Sequence, residues 1–212
     1  LLADALQNRS IDVSAPLDAD ALKRLFPGSV RDIWLEIGFG GGEHLVWQVA
    51  NNPHVGVIGA EPYLNGVVAA MDALVARELS ERVRLYADDV LALLQALPPE
   101  SLARAFMLFP DPWPKKRHRE RRLFSAHLLD ELAPLLRPGA EFRFASDIDD
   151  YAEAAIEAAR AHPAFDIAQV FTTENRDALP DWPVTRYEQK ARREGRGATF
   201  LVLQRVIEPS RA

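Results

Sequence analysis

Ile33-Trp34-Leu35-Glu36-Ile37-Gly38-Phe39-Gly40-Gly41-Gly42-Glu43-His44-Leu45-Val46-Trp47-Gln48-Val49-Ala50 runs as a short apolar strand, a glycine turn and a helix that Asn51-Asn52-Pro53 ends. That succession is the first half of a βαβ unit. Downstream the texture keeps alternating. Residues 55–60 read as a strand ending at Glu61-Pro62, 64–79 as a long helix, 83–87 as a strand, 89–97 as a short helix and 102–109 as a strand. A helix follows over 121–136, stopped by Pro138-Gly139, then a strand over 141–145 ending at Ser146-Asp147. Residues 149–161 read as a helix stopped by Pro163, and 165–171 and 199–206 as β-rich stretches. Seven strands alternating with helices over short connections predict an α/β fold with a mostly parallel sheet covered on both faces. Ligands in such sheets sit at the carboxyl ends of the strands, near the switch point. Residues 172–198 are the one long polar loop in this reading, which marks them as functional.

Residues 1–30 form a lead-in, with a helical pattern over 1–6 and an amphipathic helix over 18–26 closed by Pro27-Gly28, ahead of a domain over 31–212. The 212 residues fit one core of this class. Hydrophobic residues make 48% and charged ones 26%, a globular composition. The absence of cysteine removes disulfides, thiolate metal sites and thiol nucleophiles and fits a reducing compartment. No run has the length of a membrane helix and the opening lacks the shape of a signal peptide, so a cytoplasmic protein with no membrane partner is expected. The first residue is Leu1 rather than Met, so a truncated lead-in is expected.

Gly38, Gly40 and Gly42 let a bulky ligand approach the backbone at a helix N-terminus. Glu43 stands where a dinucleotide fingerprint needs glycine, and Glu36 beside the turn would repel a diphosphate. The same carboxylate would attract the ammonium and sulfonium of S-adenosylmethionine. Glu61, ending the second strand, is placed to accept hydrogen bonds from ribose hydroxyls. Asp89 is placed to meet the adenine amino edge, with Asp88 as its competitor; the N-cap position favours Asp89.

A second unusual stretch is Phe109-Pro110-Asp111-Pro112-Trp113-Pro114-Lys115-Lys116-Arg117-His118-Arg119-Glu120-Arg121-Arg122. Its prolines predict extended conformations for Phe109, Asp111 and Trp113 and a stiff presentation of Asp111. Six of the eight residues from 115 to 122 are Lys or Arg in a chain of net charge -6, the local asymmetry of a polyanion-facing surface. Arg186, Lys190, Arg192, Arg193 and Arg196 form a second basic cluster, and the five scattered histidines indicate no metal site.

Glu36 to Gly42, the Phe109 to His118 block, Ser146-Asp147 and Thr185-Arg186-Tyr187-Glu188 resemble, in order and spacing, the bacterial tRNA (guanine-N7)-methyltransferase family, over about residues 30 to 206. The most specific part is the Phe-Pro-Asp-Pro-Trp block. Pro114 and the Arg186-Tyr187 pair depart from residues often seen there. The resemblance implies a Rossmann-like S-adenosylmethionine-dependent methyltransferase fold acting on guanosine 46 of the tRNA variable loop. It implies that Glu36, Glu61, Asp89 and Asp111 line the S-adenosylmethionine pocket and that Asp111 is the catalytic residue. It places Lys115, Asp147, Thr185, Arg186, Tyr187 and Glu188 against the substrate. Three rivals follow from the residues: a methyltransferase for an exocyclic amine, against which Trp113 stands in the place of a second proline, a dehydrogenase, and an RNA-binding module with a vestigial nucleotide pocket, against which Glu36, Glu61 and Asp111 stand intact. Monomer and homodimer both remain open.

Overall fold

The computed structural model describes residues 7–113, 115–178 and 181–206. The helix expected over 1–6, Pro114 and the Lys116 side chain lie outside that description. The order of elements is α1 (Ala19–Arg24), β1 (Asp32–Ile37), α2 (Glu43–Asn51), β2 (Val55–Ala60), α3 (Leu64–Val75), β3 (Val83–Tyr86), α4 (Val90–Ala96) and β4 (Leu102–Leu108). There follow α5 (Ala126–Leu132), β5 (Leu136–Ser146), α6 (Asp149–Ala161), β6 (Phe165–Thr172), α7 (Arg186–Arg193) and β7 (Thr199–Arg205). Short 3₁₀ turns cover Ser80–Arg82, Lys116–Arg121 and Arg176–Ala178.

The seven strands form one sheet in the order β3-β2-β1-β4-β5-β7-β6. The first five are mutually parallel, and β7 runs antiparallel between β5 and β6. The chain therefore leaves β1 toward β2 on one side and returns to β4 on the other, which opens the crevice at the carboxyl ends of β1 and β4. The glycine turn and the Phe109 to Trp113 block both emerge there.

Strand alternation sorts the core. Ile33, Leu35, Ile37, Ala105, Met107, Phe142 and Phe144 face one layer, closed by Leu93 and Leu94 of α4, Leu128, Leu129 and Leu132 of α5 and Tyr151 and Ala155 of α6. Trp34, Phe106, Leu108, Phe200 and Val202 face the other, closed by Leu45, Val46 and Val49 of α2 and Val67, Met71 and Leu74 of α3. Burial on both faces is what makes these strands near-continuous apolar runs. The lead-in joins the first layer through Leu22 and Phe26, and Ile11 donates to Leu85 O at 3.0 Å.

Two expectations are corrected. The helix expected over 121–136 is α5 alone, because Arg122 is extended (φ -65°, ψ 123°) and Ser125 starts the helix by accepting from Leu128 N at 3.3 Å. Pro138 and Gly139 then lie inside β5, beside the register shift at Leu102/Arg104, instead of ending a helix. The polar loop expected over 172–198 carries its own helix, α7.

Gly42 caps α2 at φ +80°, and a Cβ there would come within 2.5 Å of Ala70 Cβ on α3. Gly42→Ala combines left-handed strain with overpacking and is expected to cost about 1–3 kcal/mol of stability. Urea unfolding measures it; an unchanged midpoint would contradict this account of the turn.

Candidate active site

The glycine turn is built by three left-handed residues, Gly38 (φ +70°), Gly40 (φ +54°) and Gly42. Two acids brace it. Glu61, 5% exposed, accepts from Gly40 N at 2.8 Å through Oε2 and from Tyr63 N at 3.0 Å through Oε1. Glu36, 3% exposed, has Oε2 at 2.8 Å from His44 Nδ1 on α2. Burying a carboxylate is costly unless it is paired, so these contacts explain how two acids survive at the strand ends. Asp89 is the N-cap of α4, accepting from Leu91 N at 3.0 Å, and Asp88 accepts from Asp89 N at 2.8 Å. Both remain exposed at the end of β3.

The Phe109 block leaves β4 with Phe109 N donating to Ala145 O at 2.8 Å. Phe109 (φ +52°) and Trp113 (φ +39°) are left-handed, not extended as the flanking prolines predict. Tertiary anchors override the local preference, and non-glycine residues at such φ are a strain associated with functional sites. The chief anchor is Arg122. Its Nε donates to Pro112 O at 3.1 Å, its Nη2 donates to Asp150 Oδ1 at 2.9 Å, and its guanidinium lies 4.7 Å from the Tyr151 ring centre. These bonds also hold the Asp150 carboxyl below its ordinary range. Tyr151 is fully buried, accepts from Phe124 N at 3.0 Å, and has its hydroxyl pKa pushed up to about 12, chiefly by burial. Asp111 is thus presented, exposed, on a braced backbone and makes no hydrogen bond or ion pair among the described residues.

The basic run divides by role. Arg122 is a buried strut and Arg119 pairs with Asp150. Lys115, Arg117 and Arg121 are exposed, with Arg121 5.0 Å from the Trp113 ring centre. Trp113 is half-buried and also meets His118 edge-on at 5.9 Å.

Of segment 173–198, the described residues 173–178 and 181–198 lie across the Trp34/Phe200 face of the sheet. Trp182 packs edge-on against Phe200 at 5.3 Å. Asp181 accepts from Arg104 Nη1 at 3.0 Å and from Arg143 Nη1 and Nη2 at 2.8 and 3.1 Å. Burial pushes the Asp181 carboxyl up, and the two arginines outweigh it, leaving it below its ordinary value. Glu188, 1% exposed, takes Arg176 Nε at 2.9 and 3.1 Å and Arg192 Nη2 at 2.6 Å, while Arg176 also donates to Trp182 O. Thr185 caps α7 by accepting from Glu188 N at 3.3 Å. Thr185 and Glu188 therefore hold the segment, and Arg186 and Tyr187 are what it presents. Tyr187 Oη lies 2.9 Å from the place a Cβ on Gly40 would take, and the Arg186 guanidinium covers Gly41. Glu43, the residue that breaks the dinucleotide fingerprint, accepts from Arg186 N at 2.9 Å. Asp147 receives Arg196 Nε and Nη2 on Oδ2 at 3.0 and 2.7 Å, and Arg196 also pairs with Glu194.

The structure thus gathers Glu36, Gly38, Thr185, Arg186 and Tyr187 around one cavity of about 20 Å³, with Leu108 and Phe109 on its far wall. Asp111, Glu61 and Asp89 stand at neighbouring strand ends outside that cavity lining. Sequence reading missed His44, Gln48, Glu43, Asp181 and Arg122. Only the i, i+4 spacing of His44 and Gln48 hinted that two polar side chains share a helix face. Among the described residues no group of three His, Asp or Glu is arranged to hold a metal, and no helix is long and apolar enough to cross a membrane.

The sheet order, the glycine turn after β1 and acids at successive strand ends define a Rossmann-like methyltransferase fold. An antibiotic-related methyltransferase superposes with TM-score 0.64 over 95% of this chain and 98% of its own, at 15% identity, a likeness of fold alone. The family model described as "Putative methyltransferase" matches residues 30–201. The tRNA (guanine-N(7)-)-methyltransferase of Paramagnetospirillum magneticum is 46% identical over 206 residues, 97% of this chain and 85% of the relative. That of Ruegeria sp. is 48% identical over 190 residues, 90% of this chain and 72% of the relative. The chain belongs to the tRNA (guanine-N7)-methyltransferase family.

A carboxyl held low stabilises its docked state above its ordinary value and loses that contribution as pH falls through the lowered one. For Asp181 the full contribution is present above pH 3.8 and is lost progressively as pH falls from there through the lowered value. Asp181→Asn removes the charge at neutral pH and is expected to speed tryptic cleavage after Lys190 and Arg193 several-fold. Unchanged cleavage would show that the Arg104/Arg143 pairing does not hold the segment.

Proposed function

We propose that this chain methylates N7 of guanosine 46 in the variable loop of tRNA, with S-adenosylmethionine as the methyl donor, in the cytosol. The observation that carries the reading is the exposed, unpaired Asp111 carboxylate on a braced loop at the end of β4, across the switch point from the glycine turn of β1. The names of the relatives support its coarser part, N7 methylation of guanine in tRNA.

The residues fit the donor. Glu36 is a buried acid whose nearest partner is an imidazole, suited to face a cation; Glu61 ends β2 where ribose hydroxyls are bound in this class of fold; Asp89 stands exposed at the end of β3 for the adenine amino edge. S-adenosylmethionine supplies an electrophilic methyl group on a cationic sulfur.

Guanine N7 has an in-plane lone pair and no hydrogen, so its methylation needs no base to remove a proton. Orientation of N7 toward the methyl carbon supplies most of the rate. Asp111 accepts hydrogen bonds from guanine N1–H and the exocyclic amine, which fixes the base edge and opposes the positive charge that develops on the ring. Asp147 assists from the end of β5, and Tyr187 and Arg186 bound the base pocket beside the glycine turn. Thr185 and Glu188 act on the substrate through the helix they cap and anchor. Lys115, Arg117, Arg121, Lys190 and Arg193 are exposed cations without a carboxylate partner among the described residues, and these take the RNA phosphates.

Incubation with labelled S-adenosylmethionine and unmodified tRNA, followed by borohydride reduction and aniline cleavage, reads the product. Cleavage at position 46 is expected; methyl transfer without cleavage at any guanosine would reject N7. Asp111→Ala is expected to lower turnover by roughly 10²-fold or more while retaining most donor affinity. Glu61→Ala acts mainly on donor affinity. Equal loss of both properties in both variants would refute this division of roles.

A further inference from the structure

Beneath α2 a chain of hydrogen bonds connects the Glu36 carboxylate to the segment that carries Arg186 and Tyr187. Gln48 Nε2 lies 3.0 Å from the Asp181 carbonyl oxygen and 3.0 Å from His44 Nε2, and Asn52 Nδ2 donates to Gln48 Oε1 at 3.2 Å. His44 Nδ1 lies 2.8 Å from Glu36 Oε2. His44 and Gln48 are 3% and 1% exposed, and His44 packs edge-on against Phe106 at 4.7 Å, so the imidazole is fixed on every side.

The polarity of the chain follows from its ends. A backbone carbonyl can only accept, and the Asn52 amide nitrogen can only donate, so both contacts orient the Gln48 amide with its nitrogen toward His44. Gln48 therefore donates to His44 Nε2, which must carry a lone pair. The single ring proton sits on Nδ1 and is donated to Glu36. The ring is neutral in this arrangement.

We propose that His44 and Gln48 are positioning residues for methyl transfer: the docked Asp181 carbonyl and the Asn52 amide together orient Gln48, which holds His44 in its neutral Nδ1–H tautomer. That tautomer aims Glu36 and leaves its charge available to the cationic methyl donor. If Gln48 presents an acceptor instead, His44 takes a second proton, and the imidazolium neutralises Glu36. The docking of segment 173–198, which also presents Arg186 and Tyr187, is thereby linked to the electrostatics of the donor pocket. The inference rests on the reading of Glu36 as the acid that faces the donor.

The donor and its product, S-adenosylhomocysteine, share an ammonium group, and only the donor carries a sulfonium. The charge of Glu36 is therefore read in the preference for one over the other. The experiment is calorimetric titration of the full chain with each molecule at neutral pH, paired with ¹⁵N spectra of the histidine rings. In the wild type His44 is expected as the neutral Nδ1–H form. Gln48→Glu is expected to shift it to the doubly protonated form and to weaken S-adenosylmethionine by about tenfold, with a smaller effect on S-adenosylhomocysteine. His44→Asn, which keeps a donor near the Nδ1 position, is expected to retain most of the affinity that His44→Leu loses. A wild-type His44 that is Nε2-protonated or doubly protonated overturns the proposal without any variant. So does a Gln48→Glu protein with wild-type preference when Glu36→Gln has lost donor affinity. If Glu36→Gln itself binds the donor as the wild type does, the pocket reading beneath the proposal is what fails.

Discussion

A carboxylate 3% exposed at the end of β1, an interior strand of the sheet, has to be compensated, and the structure surrounding Glu36 follows from that requirement. The compensation is the His44 imidazole on α2, whose Nδ1 lies 2.8 Å from Glu36 Oε2. His44 reaches it because Gly38 to Gly42 reverses the chain in five residues and lays α2 back over the same face of the sheet. The glycine turn is therefore both an opening for a ligand and the device that brings His44 beneath Glu36. Ala70 closes the turn from α3, which leaves no room for a side chain at Gly42.

The second constraint is the anchoring of 173–198. Polar, arginine-rich chain joining the edge strand β6 to β7 has little apolar area with which to hold itself down. It is held instead by Trp182 against Phe200 and by two charge networks, Asp181 with Arg104 and Arg143, and Glu188 with Arg176 and Arg192. The Glu188–Arg176 pair is buried; such pairs gain little net stability but define geometry closely, and breaking one partner is far costlier than the pair is worth. The consequence is that Arg186 and Tyr187 arrive over the glycine turn from a distant part of the sequence. On the other side of the crevice Arg122 does the equivalent for Asp111, through the Pro112 carbonyl.

The sheet was legible because its signals are local. β1, the turn and α2 are punctuated by apolar periodicity, glycine and Asn51-Asn52-Pro53, and Asp149–Ala161 is bounded by its own acids and by Pro163. Strand-end acids were legible by charge alone. What sequence could not supply were partnerships across long separations. The Arg119 to Arg122 run looks like the first turn of a helix, yet Arg122 is recruited by Pro112 and Asp150, and the helix begins only at Ser125. Phe109 and Trp113 look extended beside their prolines, yet both are left-handed because Arg122 and the sheet fix the block between them. His44 looks like an ordinary core histidine until Gln48, oriented by Asn52 and by Asp181, 137 residues after His44, sets the direction of its hydrogen bonds.

The most direct measurement is a crystal structure with S-adenosylhomocysteine bound. The adenosyl group is expected on the Gly38 to Gly42 turn, with the Glu61 carboxylate within hydrogen-bond distance of the ribose hydroxyls, the Glu36 carboxylate on the ammonium side and Asp111 facing the sulfur. A ligand seated elsewhere on the sheet, or one that leaves Glu36 and Asp111 on opposite sides of the protein from its sulfur, would contradict the placement of the active site.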